Sequence, residues 1–229
     1  MCGRFNIIDD PLSQFLTKIT GQAQDWTIKT EYNIAPSQSV PVLLYDDITE
    51  SWGLRNMRWW LTPAWSAGPS SRYRMFNAKS ERLRNSRAFR EPFKKRRCII
   101  PASGYYEWKK EGAQKFPYYM TPVEDYGFAF AGLWDSWQSE NQSVESCAII
   151  TAKAPMSMQK IHHRMPVHLT ENLSRLWAGA KTHLTELEAI LRPEIRKDIR
   201  VTPVSTLVNN TRTKDARCLD PIGESFTIN

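Results

Sequence analysis

Three stretches of the chain carry apolar residues at the three- and four-residue spacing of amphipathic helices. The first opens with Asp9 and Asp10, which suit a helix N-terminus, and with Pro11, which suits the first helical position. The other two lie near the C-terminus, where one follows Thr170 and the other ends before Pro193. The predicted apolar faces are Leu12, Phe15, Leu16 and Ile19; Leu173, Leu176 and Trp177; and Leu184, Leu187, Ile190 and Leu191.

Between these helices the pattern changes to short β-rich runs that Pro and Gly separate. A charged stretch, Asn77–Phe93, has loosely periodic apolar residues and predicts a surface helix. Many short strands with helices around them favour an α+β fold with a barrel-like or sandwich-like, mainly antiparallel β core. The predicted strands are Val40–Tyr45, Cys98–Ile100, Tyr105–Trp108, Tyr118–Thr121, Phe128–Trp134, Cys147–Thr151, Val167–Leu169 and Val201–Val204.

No internal repeat or low-complexity tract divides the chain, so we expect residues 1–229 to form a single domain. No run approaches the roughly 18 apolar residues of a membrane span. The N-terminus also lacks the apolar segment of a signal peptide. The sequence therefore predicts a cytoplasmic protein with no membrane partner, and a monomer is the default expectation.

The net charge of +7 favours a polyanionic partner, although only weakly, because many basic proteins never bind nucleic acid. Nine tryptophans strengthen that interpretation, since bases stack on aromatic rings while Arg and Lys follow the phosphates. Most of the tryptophans are nevertheless expected to fill the core.

The four cysteines are scattered, without the paired spacing of a zinc site or a disulfide framework, and we expect no metal. Cys98 and Cys147 lie inside apolar runs and are predicted to be core residues. Cys2 alone stands where burial in a core is not expected.

Removal of Met1 would leave Cys2 with two nucleophiles, an α-amine of pKa about 7.7–8.0 and a thiol of pKa about 8.5. Such a residue can form a Schiff base with an aldehyde, and its thiol can then close a five-membered thiazolidine. The same geometry suits an amide hydrolase in which the amine acts as base for the thiol. Both interpretations stay open on the residues alone, beside a third in which the cysteine is incidental to non-covalent binding of single strands.

Five segments, taken in order, share their residues with one family. They are Cys2–Phe5, Tyr32–Pro36, Phe76–Lys79, Gly104–Trp108 and Ile161–Pro166, and Pro203–Ser205 agrees as well. Together they resemble the SOS response-associated peptidase (SRAP) family, the abasic-site processing proteins of bacteria and eukaryotes. The resemblance runs from Cys2 to about Pro221 and is to the bacterial form, which lacks the long eukaryotic tail.

The resemblance implies a covalent thiazolidine crosslink between Cys2 and abasic sites in single-stranded DNA, with no cofactor. It implies catalytic roles for Cys2, Asn77, Glu107 and His162, with His163 as the alternative histidine. From the residues alone, Asn77 also suits an Asx turn and Glu107 also suits a strand position facing solvent.

Four further residues are expected to contact DNA. Arg4, Lys79 and Arg164 flank the catalytic positions and are predicted phosphate contacts, while Trp65 is a candidate for stacking beside the lesion. The basic run Lys94–Arg97 is interpreted as a solvated helix end.

Overall fold

The computed structural model describes residues 2–70 and 72–229. The strands are β1 (Arg4–Ile7), β2 (Glu31–Ile34), β3 (Ser39–Asp46), β4 (Ser51–Trp59), β5 (Asn77–Lys79), β6 (Arg97–Ala102), β7 (Gly104–Glu111), β8 (Gln114–Pro122), β9 (Phe128–Gln138), β10 (Ser143–Lys153), β11 (Arg164–Pro166), β12 (His168–Leu169), β13 (Ile199–Pro203) and β14 (Phe226–Ile228). The helices are α1 (Asp9–Thr20), α2 (Arg90–Lys95), α3 (Met156–Gln159), α4 (Glu171–Ala178) and α5 (Leu184–Ile190), with 3₁₀ turns at Ser80–Arg82, Thr206–Asn209 and Ala216–Leu219.

Five of the strands close into a barrel. Around it they run β10, β4, β3, β6 and β9, and β9 pairs with β10 to complete the ring. All of these pairings are antiparallel except that between β10 and β4. Closure leaves these strands no free edge along the ring. The predicted α+β fold with a barrel-like, mainly antiparallel core is confirmed, and each of the eight predicted strands overlaps an observed one.

A second, antiparallel sheet packs beside the barrel, in the strand order β14, β13, β8, β7, β1 and β2. Its strand β7 lies between β8 and β1, and the residues from Gly104 to Glu107 are buried. Tyr105 packs against Phe128 and Phe130, whereas Tyr106 stacks against Tyr119 in a separate apolar cluster. Both faces of β7 are therefore covered, so alternation along this strand does not separate buried from exposed positions.

Gly104 allows β7 to begin close beside β8. A Cβ atom at this position would lie 2.5 Å from the ring of Tyr119 and 2.6 Å from the carbonyl oxygen of Met120. The Tyr119 hydroxyl is itself held by a hydrogen bond to Asn6. A larger residue at position 104 would displace the start of the strand that carries Tyr105 and Glu107.

The helices predicted at both ends of the chain are confirmed as α1, α4 and α5. Because α1 begins at Asp9, Pro11 lies at its third position rather than its first, where its missing N–H is still among those that a helix leaves unbonded. Gly21 ends α1 in the left-handed conformation, with φ of 68°. No helix in the described part of the chain has both the length and the apolar character needed to cross a membrane.

The predicted helix over Asn77–Phe93 is wrong for most of its length. Its start is β5, which pairs in parallel with Ile149–Thr151 of β10, and regular α-helix begins at Arg90. The polar run from Ser80 to Arg87 forms turns instead. At the barrel rim, the backbone of β10 offers hydrogen-bond partners to the backbone of Asn77–Lys79. A polar helix without tertiary packing would be less stable than this pairing.

The basic run Lys94–Arg97 is only partly solvated. Arg97 is buried, and its guanidinium donates to the carbonyl oxygens of Trp177 at 2.7 Å and Gly179 at 2.5 Å. These carbonyls lie at the C-terminal end of α4, where a cation is favourable. The interpretation as a solvated helix end is therefore wrong for Arg97, whereas Lys94 and Lys95 are exposed.

The C-terminal segment is fastened behind β7. The side-chain amide nitrogen of Asn33 lies 3.0–3.2 Å from the carbonyl oxygens of Val208, Asn210 and Thr213. The Lys214 ammonium donates to the backbone oxygen of Asn33 and to the side-chain oxygen of Gln38, just before β3. These contacts complete a small apolar cluster under β7, made of Tyr106, Tyr119, Val204, Val208 and Cys218.

Candidate active site

Cys2 lies in the core, fully buried just before β1, so the expectation that it stands outside a core is wrong. Its Sγ is 3.8 Å from the carbonyl oxygen of Arg4. The predicted burial of Cys98 and Cys147 is confirmed. Burial and the neighbouring carboxylate of Glu107 raise the pKa of the Cys2 thiol, so the protonated thiol is the stable form.

Asn77 fixes the backbone of Cys2. Its Nδ2 donates to the Cys2 carbonyl oxygen over 2.7 Å, and the residue is buried. It is a strand residue paired with Ile149, so the Asx-turn interpretation is wrong. Among the described residues the Asn77 Oδ1 has no hydrogen-bond partner, which leaves one buried acceptor on the residue that holds Cys2.

Glu107 is 3% exposed, so the interpretation as a solvent-facing strand residue is also wrong. Burial raises the pKa of its carboxyl group. Its Oε1 lies 3.8 Å from Nδ1 of His162. A buried carboxyl with a raised pKa beside an imidazole is the arrangement that general acid–base catalysis requires.

His162 approaches Glu107 more closely than its neighbour in sequence does. Its Nδ1 lies 3.0 Å from the backbone nitrogen and 3.1 Å from the carbonyl oxygen of Arg164, so the Arg164 backbone holds this side of the ring. Burial lowers the pKa of His162, and the nearby Arg164 charge lowers it further. The pKa of Glu107 is raised and that of His162 is lowered, so both shifts favour the neutral forms and oppose a full ion pair between the two residues.

His163 is exposed at the edge of the site. Its ring centroid lies 4.3 Å from that of His162, with the planes tilted by 31°. The pKa of His163 is lowered by its partial burial and by the adjacent imidazole. The structure thus brings His162 to Glu107 and leaves His163 stacked outside it.

A cleft of about 800 Å³ opens above Glu107 and His162. Trp108 forms part of its wall, with the Arg4 guanidinium 5.9 Å from the ring and the indole N–H bonded to Asn209. Glu107 is the one carboxylate among the described lining residues. Such an excess of positive charge concentrates anions in the cleft. The lining cations are Arg4, Arg74, Lys110, Lys115 and Lys160.

Sequence analysis missed four of these cations. Lys110 and Lys115 stand directly opposite each other in the hairpin between β7 and β8, whose turn contains Gly112 at φ of 58°. In the sequence, the two lysines stand on either side of Gly112, and this spacing around a glycine is a signal for a hairpin in which they face each other. Like charges placed opposite each other destabilise a hairpin, and an anionic ligand bound between them would offset that cost.

Lys79 lies outside this cleft. It is exposed in an adjoining hollow of about 500 Å³, which Arg82, Asn85 and Phe89 also line. Asn77 lines the same hollow, and therefore lies between it and Cys2. Lys79 remains a predicted phosphate contact on that side.

The structure argues against the predicted phosphate contact of Arg164. Its side chain is 9% exposed and its guanidinium donates to Glu81 at 2.6 Å and to the backbone oxygen of Thr151. These bonds connect β11 to β10 and to the turn after β5, which places Arg164 in the scaffold of the site. The adjacent His162 is held in place by the same strand start.

Trp65 is half exposed, away from the cleft lining. The Arg87 guanidinium lies 4.0 Å above its ring, and its indole N–H donates to the Arg87 carbonyl oxygen. The exposed ring face remains a candidate for stacking on a base. No cluster of three or more metal-ligating side chains is present in residues 2–70 and 72–229.

Cys2, Asn77 and Glu107 are thus buried, and the half-buried His162 lies beside Glu107 beneath a basic cleft. The model of the family described as SOS response associated peptidase (SRAP) matches residues 1–211, and the chain belongs to this family.

Relatives and solved structures agree with that assignment. The chain is 34% identical over 226 residues to "Abasic site processing protein YoqW" of Bacillus subtilis, covering 96% of this chain and 99% of that protein. It is 30% identical to "Abasic site processing protein HMCES" of Gallus gallus, covering 85% of this chain and 67% of the relative. A crystal structure of a protein from Bacteroides thetaiotaomicron superposes with a TM-score of 0.80 at 22% identity, covering 96% of this chain and all of that one, and shows the same fold.

Proposed function

We propose that this protein captures abasic sites in single-stranded DNA as a covalent thiazolidine on Cys2, once Met1 has been removed. Related proteins are named for abasic site processing, which supplies the substrate class. The observation that carries the proposal is the bond from Asn77 to the Cys2 carbonyl, beside the buried carboxyl of Glu107 and under a basic cleft. One copy of the chain, acting in the cytoplasm, is sufficient for this chemistry.

The reaction begins with the amine. The raised pKa of the Cys2 thiol makes thiolate scarce, so the neutral α-amine is the first nucleophile to attack C1 of the opened sugar. A C–N bond forms, the carbonyl becomes a carbinolamine, and loss of water gives an imine. The sulfur then adds to the imine carbon while its proton passes to the nitrogen. The closed thiazolidine contains every atom of the two reactants except one water.

Glu107 moves the protons in this sequence. It accepts a proton from the attacking amine and returns it to the hydroxyl group that leaves as water. Its raised pKa suits both directions of transfer. The free Oδ1 of Asn77 accepts a hydrogen bond from the amine of Cys2, which orients the nitrogen lone pair toward the cleft.

His162 opens the sugar. An abasic deoxyribose rests mainly as a cyclic hemiacetal, and the aldehyde forms when the ring oxygen is protonated. We assign this donation to Nε2, in the tautomer that carries its proton there, because Nδ1 faces the Arg164 backbone. Glu107 lies 3.8 Å from the other ring nitrogen, Nδ1, so the Nε2 proton is regained from solvent in the cleft.

The depth of Cys2 favours single-stranded DNA. Its side chain has no exposed surface, so a lesion must be turned out of any helix and inserted into the cleft to reach it. The cations of the cleft and Lys79 in the adjoining hollow would hold phosphates on the two sides of the lesion. Trp65 and Trp108 offer faces for stacking on bases.

A denaturing gel with a single-stranded oligonucleotide containing one abasic site tests the proposal. Protein whose N-terminus is verified by mass spectrometry should give a shifted band of mass equal to both components less one water. Cys2→Ala should give none, while Cys2→Ser keeps the amine and should give an adduct only after borohydride reduction. An unshifted wild-type band, with hydrolysis of peptide substrates instead, would favour an N-terminal nucleophile peptidase.

A further inference from the structure

Tyr105 carries a polar atom that the fold does not satisfy. The residue is fully buried, and among the described residues its hydroxyl has no hydrogen-bond partner. The two neighbouring buried tyrosines differ, because Tyr106 donates to the Tyr32 carbonyl at 2.8 Å and Tyr119 to Asn6 at 3.0 Å. An unsatisfied buried hydroxyl costs about 1–3 kcal/mol, so its presence requires a reason.

The position of this hydroxyl relates it to the candidate active site. Tyr105 and Glu107 are two residues apart on β7, so their side chains leave the same face of the sheet. Tyr105 pairs with Phe5 on β1, the strand that Cys2 leads into. Burial raises the pKa of Tyr105 well above its usual value, and the nearby Cys2 and then Glu107 raise it further, which places the hydroxyl within electrostatic range of both.

The remaining neighbours of Tyr105 offer it no polar contact. Phe128 and Phe130 pack edge-on against its ring, with centroids 5.6 and 5.8 Å away. His168 also packs edge-on at 5.8 Å, and neither of its ring nitrogens bonds to a described residue. The aromatic neighbours therefore pack around the tyrosine ring and leave its hydroxyl donor unused among the described residues.

We propose that the Tyr105 hydroxyl is a further catalytic group, which donates a hydrogen bond to the aldehyde oxygen of the abasic sugar as the Cys2 amine adds to it. This inference rests on the proposed function. The hydroxyl keeps its own proton throughout, because only a donor is required. As the C–N bond forms, the carbonyl π electrons move to that oxygen, and the proton that Glu107 takes from the amine is delivered there. The second amine proton then reaches the resulting hydroxyl through Glu107, and the oxygen departs as water while the nitrogen lone pair forms the C=N bond.

Tyr105 and Glu107 thus have separate roles. A tyrosine with a raised pKa remains protonated and stabilises negative charge on oxygen, as donors of oxyanion holes do. The carboxyl group exchanges protons and cannot serve as a permanent donor. Pre-placed donors of this kind act most strongly in a site from which water is excluded, and Cys2, Tyr105 and Glu107 are all buried.

The test compares Tyr105→Phe with Tyr106→Phe, its neighbour on the opposite face of the same strand. Removing one preorganised donor should slow single-turnover crosslinking by roughly 10-fold to 100-fold. Imine trapped by borohydride should slow equally, because the affected step precedes ring closure. Affinity for an undamaged oligonucleotide should stay unchanged, and the melting temperature should stay the same or rise. Tyr106→Phe should reverse this pattern, with crosslinking within about twofold of wild type and lower stability, since it loses a satisfied bond.

The outcomes are distinguishable. A Tyr105→Phe protein that crosslinks as fast as an active wild type would overturn the role of Tyr105 and leave the proposed function intact. Wild-type protein with a free Cys2 amine that forms no adduct would overturn both. A melting temperature well below wild type would show that the hydroxyl supports the fold instead, which also contradicts the inference.

Discussion

The side-chain amide of Asn77 and the carbonyl of Cys2 are joined by a hydrogen bond of 2.7 Å, which connects β5, paired with the barrel strand β10, to the segment that leads into β1 of the second sheet. The two partners are 75 positions apart in sequence, so the orientation of the nucleophile depends on the packing of the sheets. The first prediction follows from this bond.

Asn77→Ala should slow crosslinking about 100-fold, because a small misplacement of the nucleophile has an effect of that size. It should also lower the free energy of unfolding by about 1–3 kcal/mol, since the Cys2 carbonyl would be left buried without a partner. Single-turnover crosslinking and urea denaturation measure the two effects. Affinity for undamaged single strands should not change, and a parallel loss of affinity would contradict the assigned role.

Glu107→Gln should make the protein more stable at neutral pH while slowing crosslinking by about 10²- to 10⁴-fold, the usual contribution of an acid–base group. The pKa of Glu107 is raised in the folded state, so the native protein binds more protons between the unfolded value, about 4.3, and the folded one. Stability is therefore lost as pH rises through this window. The glutamine variant has no carboxyl group to ionise at this position, so it should not lose stability in this pH interval. Below the interval, wild type and variant should be similarly stable. Equal pH profiles of unfolding would refute the raised pKa.

The two adjacent histidines should differ in function. His162→Ala should slow crosslinking to an abasic sugar more than about 10-fold, the lower end of acid–base contributions, whereas His163→Ala should change it little. Because His162 is assigned to ring opening, its loss should matter much less with an oligonucleotide that carries an open-chain aldehyde. Single-turnover rates on both substrates decide the matter. A larger effect of His163→Ala would transfer the role to that residue.

Lys110→Gln combined with Lys115→Gln should weaken binding to single-stranded DNA. The plot of log affinity against log salt should become shallower by about 0.7 for each lost phosphate contact. The hairpin itself should be slightly more stable, because two like charges no longer face each other. Lys94→Gln with Lys95→Gln on α2 is the matched control, since both lysines are exposed but do not line the cleft. An equal effect of the two pairs would indicate that net charge alone governs binding.

His168 should make the fold sensitive to acid. It is stacked on Phe128 with ring centroids 4.4 Å apart, and burial lowers its pKa to about 3. The unfolded chain, with an ordinary pKa near 6.5, binds more protons in this interval, so stability falls as pH drops from about 6.5 toward 3. His168→Leu should melt at the wild-type temperature or higher at pH 7 and lose less stability at pH 4. Melting curves across this range would contradict the assignment if both proteins responded alike.

Sequence periodicity predicted the elements whose apolar pattern is local. The helix faces around Phe15 and Leu187, and the strands through Phe130 and Ile149, are buried as expected. It did not predict β4, in which apolar and polar residues do not alternate strictly, because pairing with β3 and β10 holds that strand in place. Long-range pairing with β10 likewise explains why Asn77 lies in a strand and not in the predicted helix.

The chemistry of the site was accessible from sequence only in part. The resemblance supplied Cys2, Asn77, Glu107 and His162, but burial of Cys2 and of Glu107 depends on two sheets packing together. Arg164 was expected at the DNA because it is charged, whereas its guanidinium bonds to Glu81 and Thr151. The facing pair Lys110 and Lys115 became visible once the hairpin register was known.

The C-terminal segment, which Asn33 holds behind β7, determines how the protein responds to proteolytic cleavage of its backbone. Val208 and Cys218 form the floor beneath Tyr106, the residue that precedes Glu107. Proteolytic cleavage before Lys214 would remove Cys218 together with β14 and leave Val208 behind, so the strand that carries the carboxyl group would lose part of its support without any change in a reacting residue. If a C-terminally trimmed protein no longer forms the crosslink, the cause would then be lost support of β7 and not a change in a reacting residue. Adding the cleaved peptide back is the experiment that identifies this cause.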